Sequence, residues 1–182
     1  MNSGTIERKL SHKAIFLDRD GIINQSLVRN GKPYPPSEMS EFQLVPGIQE
    51  ALLGLKARGY LLLVVTNQPD VARGTANLAT IDAFHERILS DLPIQKIYVC
   101  AHDDKDGCPC RKPRPGLLLK GAEEFGIDLT QSYMVGDRWR DVDAGNAAGC
   151  TTVFVNYDYE ESLKTMPTHT VQNVRELLSV IK

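Results

Sequence analysis

Two aspartates spaced two apart, Asp18 and Asp20, stand at the end of an apolar run, Ala14 to Leu17, and Gly21 follows at once. The run reads as a buried parallel strand and the Asp-Gly step as the turn that ends it. Both carboxylates then lie at the strand's carboxyl end, the edge at which open α/β sheets bind ligands, and Arg19, between them, alternates to the other side of the strand-end turn. Carboxylates held this close repel each other unless a cation or a shared proton relieves them, so the pair points to divalent-metal chemistry. Later in the chain, Thr66-Asn67-Gln68 closes the apolar run 61–65, and Asp137 follows the short run Tyr133-Met134-Val135. Three carboxylates at one sheet edge form an oxygen-rich site for a hard cation such as Mg²⁺. Arg111-Lys112 and the Thr66 hydroxyl add positive charge and donors for a phosphoryl group. A carboxylate in such a site can act as a nucleophile through an aspartyl-phosphate, provided its repulsion with the phosphate is neutralised.

A second constellation precedes Arg111. Cys100-Ala-His102, five residues, then Cys108-Pro-Cys110 supply three thiols and an imidazole. Cys₃His at this spacing suits a closed, tetrahedral structural zinc site. With every ligand position filled by protein, zinc there does not activate water. Its expected task is to fix the loop 100–112 so that Arg111 and Lys112 face the phosphate. Cys150 stands apart at the start of a later strand and reads as core.

These residues need elements to position them. Apolar residues at Ile48, Ala51, Leu52 and Leu55 give a helix opened by Pro46-Gly47 and stopped by Gly59. Ile81, Phe84 and Ile88 mark the next helix, and Leu118, Ala122 and Phe125 a third that closes at Gly126. Two more helices are expected over 141–148 and 174–181. Strands are expected at 14–17, 61–65, 96–101, 133–135 and 151–155, and the stretch 25–36, with Asn30-Gly31 and three prolines, reads as loop. Strands alternating with helices imply right-handed crossovers and a parallel sheet covered on both faces. The chain is therefore expected to form one α/β domain over 1–182, with a flexible tail at 1–12.

Composition narrows the function class. The 182 residues are 42% hydrophobic and 24% charged, with a net charge of −2. That balance gives no electrostatic footprint for nucleic acid or an anionic membrane. No apolar run approaches the roughly 20 residues of a membrane span, and the polar N-terminus lacks the apolar core of a signal peptide. The expected protein is a cytoplasmic monomer.

Taken together, Asp18-Arg19-Asp20-Gly21, Thr66-Asn67-Gln68, Arg111-Lys112-Pro113 and Gly136-Asp137 with Asp141 resemble, in order, the four motifs of the haloacid dehalogenase superfamily of phosphohydrolases. The resemblance implies a Rossmann-like three-layer sandwich of strand order 5-4-1-2-3, with the nucleophile on the central strand. It implies Asp18 as nucleophile and Asp20 as general acid and base. It further implies Mg²⁺ on Asp18, the Asp20 backbone carbonyl and Asp137, with Thr66 and Lys112 on the phosphoryl oxygens. The zinc-loop pattern is similar to that of the heptose-bisphosphate and histidinol-phosphate phosphatase subgroup, and that resemblance implies a small phosphorylated sugar as the partner. About twenty residues separate Asn24 from the next helix, too few for a separate cap domain. Substrate recognition is expected from the 25–36 loop, the zinc loop and Arg111, with Asn67, Gln68 and Arg138 beside the phosphate and Trp139 as a further candidate. A zinc-stabilised binding module on the same fold is the non-enzymatic alternative.

Overall fold

Four consecutive apolar residues, Ala14–Leu17, are all buried and form β1, the strand that carries the aspartates. The computed structural model describes residues 12–182. The tail expected over 1–12 lies outside the described residues except for His12, which bridges to Ile127. In chain order there follow β2 (Leu27–Arg29), β3 (Lys32–Tyr34), α1 (Ile48–Ala57), β4 (Leu61–Asn67), α2 (Pro69–Ala72) and α3 (Leu78–Asp91). Beyond them come β5 (Lys96–Cys100), α4 (Gly116–Phe125), β6 (Tyr133–Gly136), α5 (Trp139–Ala148), β7 (Thr151–Val155), β8 (His169–Val171) and α6 (Leu177–Val180).

The main sheet is parallel throughout, in the order β5-β4-β1-β6-β7-β8. Counting only the five strands expected from the sequence, this is the order 5-4-1-2-3, with β1 at the centre. Alternation along β1 divides the core. Ile15 and Leu17 join Leu52, Leu55, Ile88 and Leu177 on one face, while Ala14 and Phe16 join Leu117, Leu118 and Ala144 on the other. Phe16 and Leu17 are fully buried, and such side chains contribute about 1.5–3 kcal/mol each. Packing alone therefore fixes the strand that presents Asp18.

Four features depart from the sequence expectation. The 25–36 stretch holds the antiparallel hairpin β2–β3 rather than a loop. Asn30 and Gly31 both sit at positive φ, as the tight two-residue hairpin turn requires. The sixth strand, β8, is a three-residue edge strand with a single buried residue, Val171, too short for its pattern to show. The one-turn α2 starts at Pro69, whose fixed φ suits a first helical position. The helix expected over 174–181 is a 3₁₀ turn, Val174–Glu176, that leads into a single turn of α6. Val174, Leu177 and Ile181 of that stretch are buried in the core, with Leu178 and Val180 packed partly buried against it.

Ser132, fully buried, ties the start of β1 to the approach of β6. Its Oγ accepts from the Ala14 N–H at 2.9 Å and donates to the Asp128 carbonyl at 2.6 Å. Ser132→Ala leaves a buried N–H without an acceptor, at a cost of about 1–3 kcal/mol. Thermal unfolding followed by circular dichroism should show a Tm lower by about 2–10 °C, and an unchanged Tm contradicts this account.

Candidate active site

At the carboxyl edge of the sheet a single lysine meets two carboxylates. Lys112 Nζ lies 2.6 Å from Asp18 Oδ1 and 2.6 Å from Asp141 Oδ1. Asp18 is the first residue past β1, and its N–H extends the ladder to the Val135 carbonyl at 2.9 Å. Asp141 sits in the first turn of α5, where its other oxygen caps the Arg138 N–H at 3.1 Å. Burial opposes the charge on Lys112, but Asp141 and Asp18 outweigh it and hold the ammonium above its ordinary pKa. Burial raises Asp18 to about 7; Lys112 pulls against this, and Asp141 and Asp20 reinforce it.

Asp137, just past β6, is the uncompensated member. Both of its oxygens are buried without a well-formed hydrogen bond. Burial, then the Asp18 and Asp141 carboxylates, push its pKa well up, against Arg138 and the nearby Tyr159 hydroxyl. One oxygen from each of Asp18, Asp137 and Asp141 falls within 4.8 Å of the others. Gly21 lets these groups approach: at φ +93° it leaves no room for a Cβ, which would lie 2.0 Å from Asp137 Oδ2. Orphaned, buried carboxylate oxygens in such a cluster fit a hard divalent cation with oxygen ligands.

Asp20 faces a different set of partners. Arg19 Nη2 donates to its Oδ1 at 2.9 Å and its Oδ2 at 2.8 Å, and Arg19 Nε reaches Oδ1 at 3.1 Å. Asn24 Nδ2 donates to Oδ1 and Gln68 Nε2 to Oδ2, each at 2.9 Å. The sequence reading sends Arg19 to the opposite side of the turn from Asp20. In the structure β1 ends at Leu17, so strand alternation no longer governs residues 18–20 and both side chains fall together.

The expected phosphate ligands divide in the structure. Asn67, Gln68, Arg111, Lys112 and Arg138 line one cleft of about 420 Å³ with Asp18, Asp20 and Asp137. Thr66 is buried, and its hydroxyl accepts from Gln68 Nε2 at 3.0 Å. Asn67 acts on the main chain of Lys112. Its Nδ2 donates to the Lys112 carbonyl and its Oδ1 accepts from the Lys112 N–H, each at 3.0 Å. Arg111 Nε donates to Asp104 at 2.8 Å, and Arg138 pairs with Glu161. Lys164 Nζ lies 3.5 Å over the half-buried Trp139 ring. From the 25–36 stretch, Ser26, Pro33, Tyr34 and Pro35 reach the cleft.

The zinc candidates converge. Cys100, His102, Cys108 and Cys110 place their ligand atoms within 4.8 Å of one another. The Sγ–Sγ separations are 3.6, 3.2 and 3.3 Å, and His102 Nδ1 stands 3.6 Å from Cys100 and 3.3 Å from Cys110. A tetrahedral site with Zn–S near 2.3 Å has edges of about 3.8 Å, so a small breathing motion admits the ion. All four cysteines are free, and Cys150 is buried away from the cluster in the core. Burial raises the Cys110 thiol to about 12, whereas hydrogen bonds from Cys110 and Arg111 outweigh burial at Cys108 and bring it to about 7.

Several contributors escape the motif reading. Arg140 bonds to Asp104 and, at 3.4 Å, to the Lys112 carbonyl. Tyr157 and Tyr159 flank Asp137; their own burial, then the Asp137 charge, raise both phenols, Tyr157 to about 12. Their position just past β7 was the available signal, since every parallel strand delivers its next residues to this edge.

A model of HAD-hydrolase-like proteins matches residues 109–177. The Campylobacter jejuni D-glycero-alpha-D-manno-heptose-1,7-bisphosphate 7-phosphatase is 37% identical over 176 residues, which covers 93% of this chain and 96% of that one. The Escherichia coli D-glycero-beta-D-manno-heptose-1,7-bisphosphate 7-phosphatase is 38% identical over 151 residues, 76% of each chain. A solved structure, the D,D-heptose 1,7-bisphosphate phosphatase of B. bronchiseptica complexed with magnesium and phosphate, has a TM-score of 0.78 and 30% identity. It covers 92% of this chain, and the match spans 96% of its own length. With motifs, sheet order and relatives in agreement over nearly the whole chain, the protein belongs to the HAD-like family of phosphatases.

Proposed function

We propose that the protein removes the 7-phosphate of a D-glycero-D-manno-heptose 1,7-bisphosphate through an aspartyl-phosphate on Asp18. The observation that carries the chemistry is the buried Lys112 ammonium at 2.6 Å from Asp18 and Asp141, beside an unpartnered Asp137. The names of the relatives carry the sugar. They divide between the alpha and beta anomers, so the proposal names the heptose and not its anomer.

Lys112 engages Asp18 Oδ1, which leaves the second oxygen to attack phosphorus. Mg²⁺, which Asp18, Asp137 and the Asp20 backbone carbonyl would hold, supplies charge that offsets the repulsion between carboxylates and phosphate. Asp20 gives its proton to the departing sugar oxygen, then takes one from the water that hydrolyses the intermediate. Thr66 and Lys112 face the phosphoryl oxygens. Arg111, Arg138 and the hairpin β2–β3 face the rest of the substrate. Zn²⁺ on Cys100, His102, Cys108 and Cys110 would fix the loop that delivers Arg111 and Lys112, and no chemical step falls to it.

Phosphate release from heptose 1,7-bisphosphate, histidinol phosphate and simple hexose phosphates tests the substrate. The bisphosphate should lead by about tenfold or more in kcat/KM. Preference for histidinol phosphate moves the assignment there, and equal rates remove any specific assignment. Asp18→Asn should abolish turnover at unchanged Tm and zinc content; retained turnover removes Asp18 from the mechanism.

The raised carboxylates give a pH signature. Asp18 holds its proton to about 7 when folded and to about 4 when unfolded. Its neutral form thus contributes stability that is full below pH 4 and lost as pH rises to about 7. A bound dication needs the ionised form and offsets that loss. Mg²⁺ should therefore raise Tm more at pH 8 than at pH 6, and an equal shift at both counts against these carboxylates as ligands.

Protein purified without chelator should carry about one zinc per chain. Because zinc binding is coupled to folding, its removal should lower Tm and weaken inorganic phosphate binding. Metal analysis far below that ratio defeats the zinc assignment.

A further inference from the structure

Arg19 is the largest fully buried side chain of the described residues, at 1% exposure. Withdrawing a guanidinium from water costs several kcal/mol unless charge and hydrogen bonds offset it. Among the described residues its one carboxylate partner is Asp20, the next residue, held by three N–H···O contacts of 2.8–3.1 Å. An ion pair between sequence neighbours joins no distant parts of the fold by itself. What the pair does fix is a side chain. Asp20 is 18% exposed and borders the cleft, while Arg19 stands behind it in the cavity bordered by α3.

Helix α3 in turn holds the arginine. The guanidinium carbon lies 5.6 Å from the Phe84 ring centroid, and Nη1 lies 3.4 Å from His85 Nε2. Burial, then the Arg19 charge, push His85 down to about 4, so near neutral pH its ring is uncharged and Nε2 can accept from Arg19. Asn24 and Gln68 complete the grip, one on each Asp20 oxygen. The carboxyl is thus held from behind and from both sides, and its exposed part borders the cleft.

We propose that Arg19 is a positioning residue: backed by Phe84 and His85 of α3, its guanidinium fixes the Asp20 carboxyl where a proton passes to the leaving oxygen. The inference rests on the reading of Asp20 as the proton carrier. In the first step the Asp18 oxygen bonds to phosphorus, the bond from phosphorus to the leaving oxygen breaks, and the Asp20 proton goes to that oxygen. In the second, water oxygen bonds to phosphorus, its proton goes to Asp20, and the Asp18–phosphorus bond breaks. Misplacement of a catalytic group by about 1 Å costs on the order of 100-fold in rate.

Two leaving groups separate positioning from general damage. A sugar phosphate needs the Asp20 proton, whereas p-nitrophenyl phosphate departs as a stable phenolate. Arg19→Lys, Arg19→Met and His85→Leu should lower kcat on the sugar phosphate by about 10–100-fold, with KM within about twofold. Single-turnover release of p-nitrophenol should stay near the wild-type rate, followed by slow hydrolysis of the aspartyl-phosphate. Equal losses on both substrates, or no loss on either, overturn the proposal. His85 is only partly buried, so His85→Leu decides the matter where an Arg19 variant does not fold. Asp20→Asn in the same assay isolates the underlying reading. If Asp20→Asn fails to separate the two substrates, the role of Asp20 falls. If Asp20→Asn separates them and the Arg19 and His85 variants do not, only the positioning role falls.

Discussion

The Lys112 ammonium, buried between Asp18 and Asp141, is the interaction on which the site depends. Asp18, Asp137 and Asp141 together with Lys112 amount, when ionised, to three negative charges and one positive, a net −2. Each uncompensated charge removed from water costs several kcal/mol. The raised pKa values of Asp18 and Asp137 express that cost as retained protons. A dication cancels the deficit of two, and the site can then accept a phosphate dianion. The cluster is unfavourable for a closed protein interior and well matched to a metal with a phosphoryl group.

Lys112 can fill this position only because its own backbone is held from several directions. Asn67, at the end of β4, pairs with both its N–H and its carbonyl. Arg140 of α5 reaches the same carbonyl. Asp104, within the zinc loop, binds Arg111 and Arg140 at once. The loop between the cysteines is thereby tied to the residue next to Lys112 and to the helix that carries Asp141. Such pairs at half-exposed positions are individually weak. Their convergence on one short segment gives the precision that phosphoryl transfer needs, since most of its catalysis is placement and charge.

Legibility in the sequence followed the strength of each local signal. β1, β4 and β6 are short apolar runs that end in polar residues, so both the strand and the residues it delivers could be read together. The four zinc candidates were legible because thiols and an imidazole at that spacing have few other uses. The hairpin β2–β3 was not, although Asn30-Gly31 is a strong turn signal: three prolines nearby argued for loop, and Pro33 sits within β3. An exposed two-stranded ribbon tolerates proline where a central strand does not. β8 was hidden by its three-residue length, and Tyr157 and Tyr159 by lying in an irregular segment whose path depends on the tertiary fold. Arg19 was visible, but alternation along a strand was carried past the strand's end.

The end of the strand also bears on how one short motif holds two aspartates in different surroundings. Asp18 and Asp20 are chemically the same and two residues apart, yet they share no direct partner. Asp18 turns toward Lys112 and the carboxylate cluster; Asp20 turns toward Arg19, Asn24 and Gln68. Two carboxylates acquire different chemistry when their surroundings differ, and here the divergence begins with the bend at residues 18–21. Had β1 continued through Asp20, both aspartates would face one side and Arg19 the other, with neither aspartate insulated from its neighbour. Ending the strand at Leu17 places the arginine behind Asp20 and leaves Asp18 to the lysine. The difference between the two aspartates' surroundings is therefore set by where one strand stops.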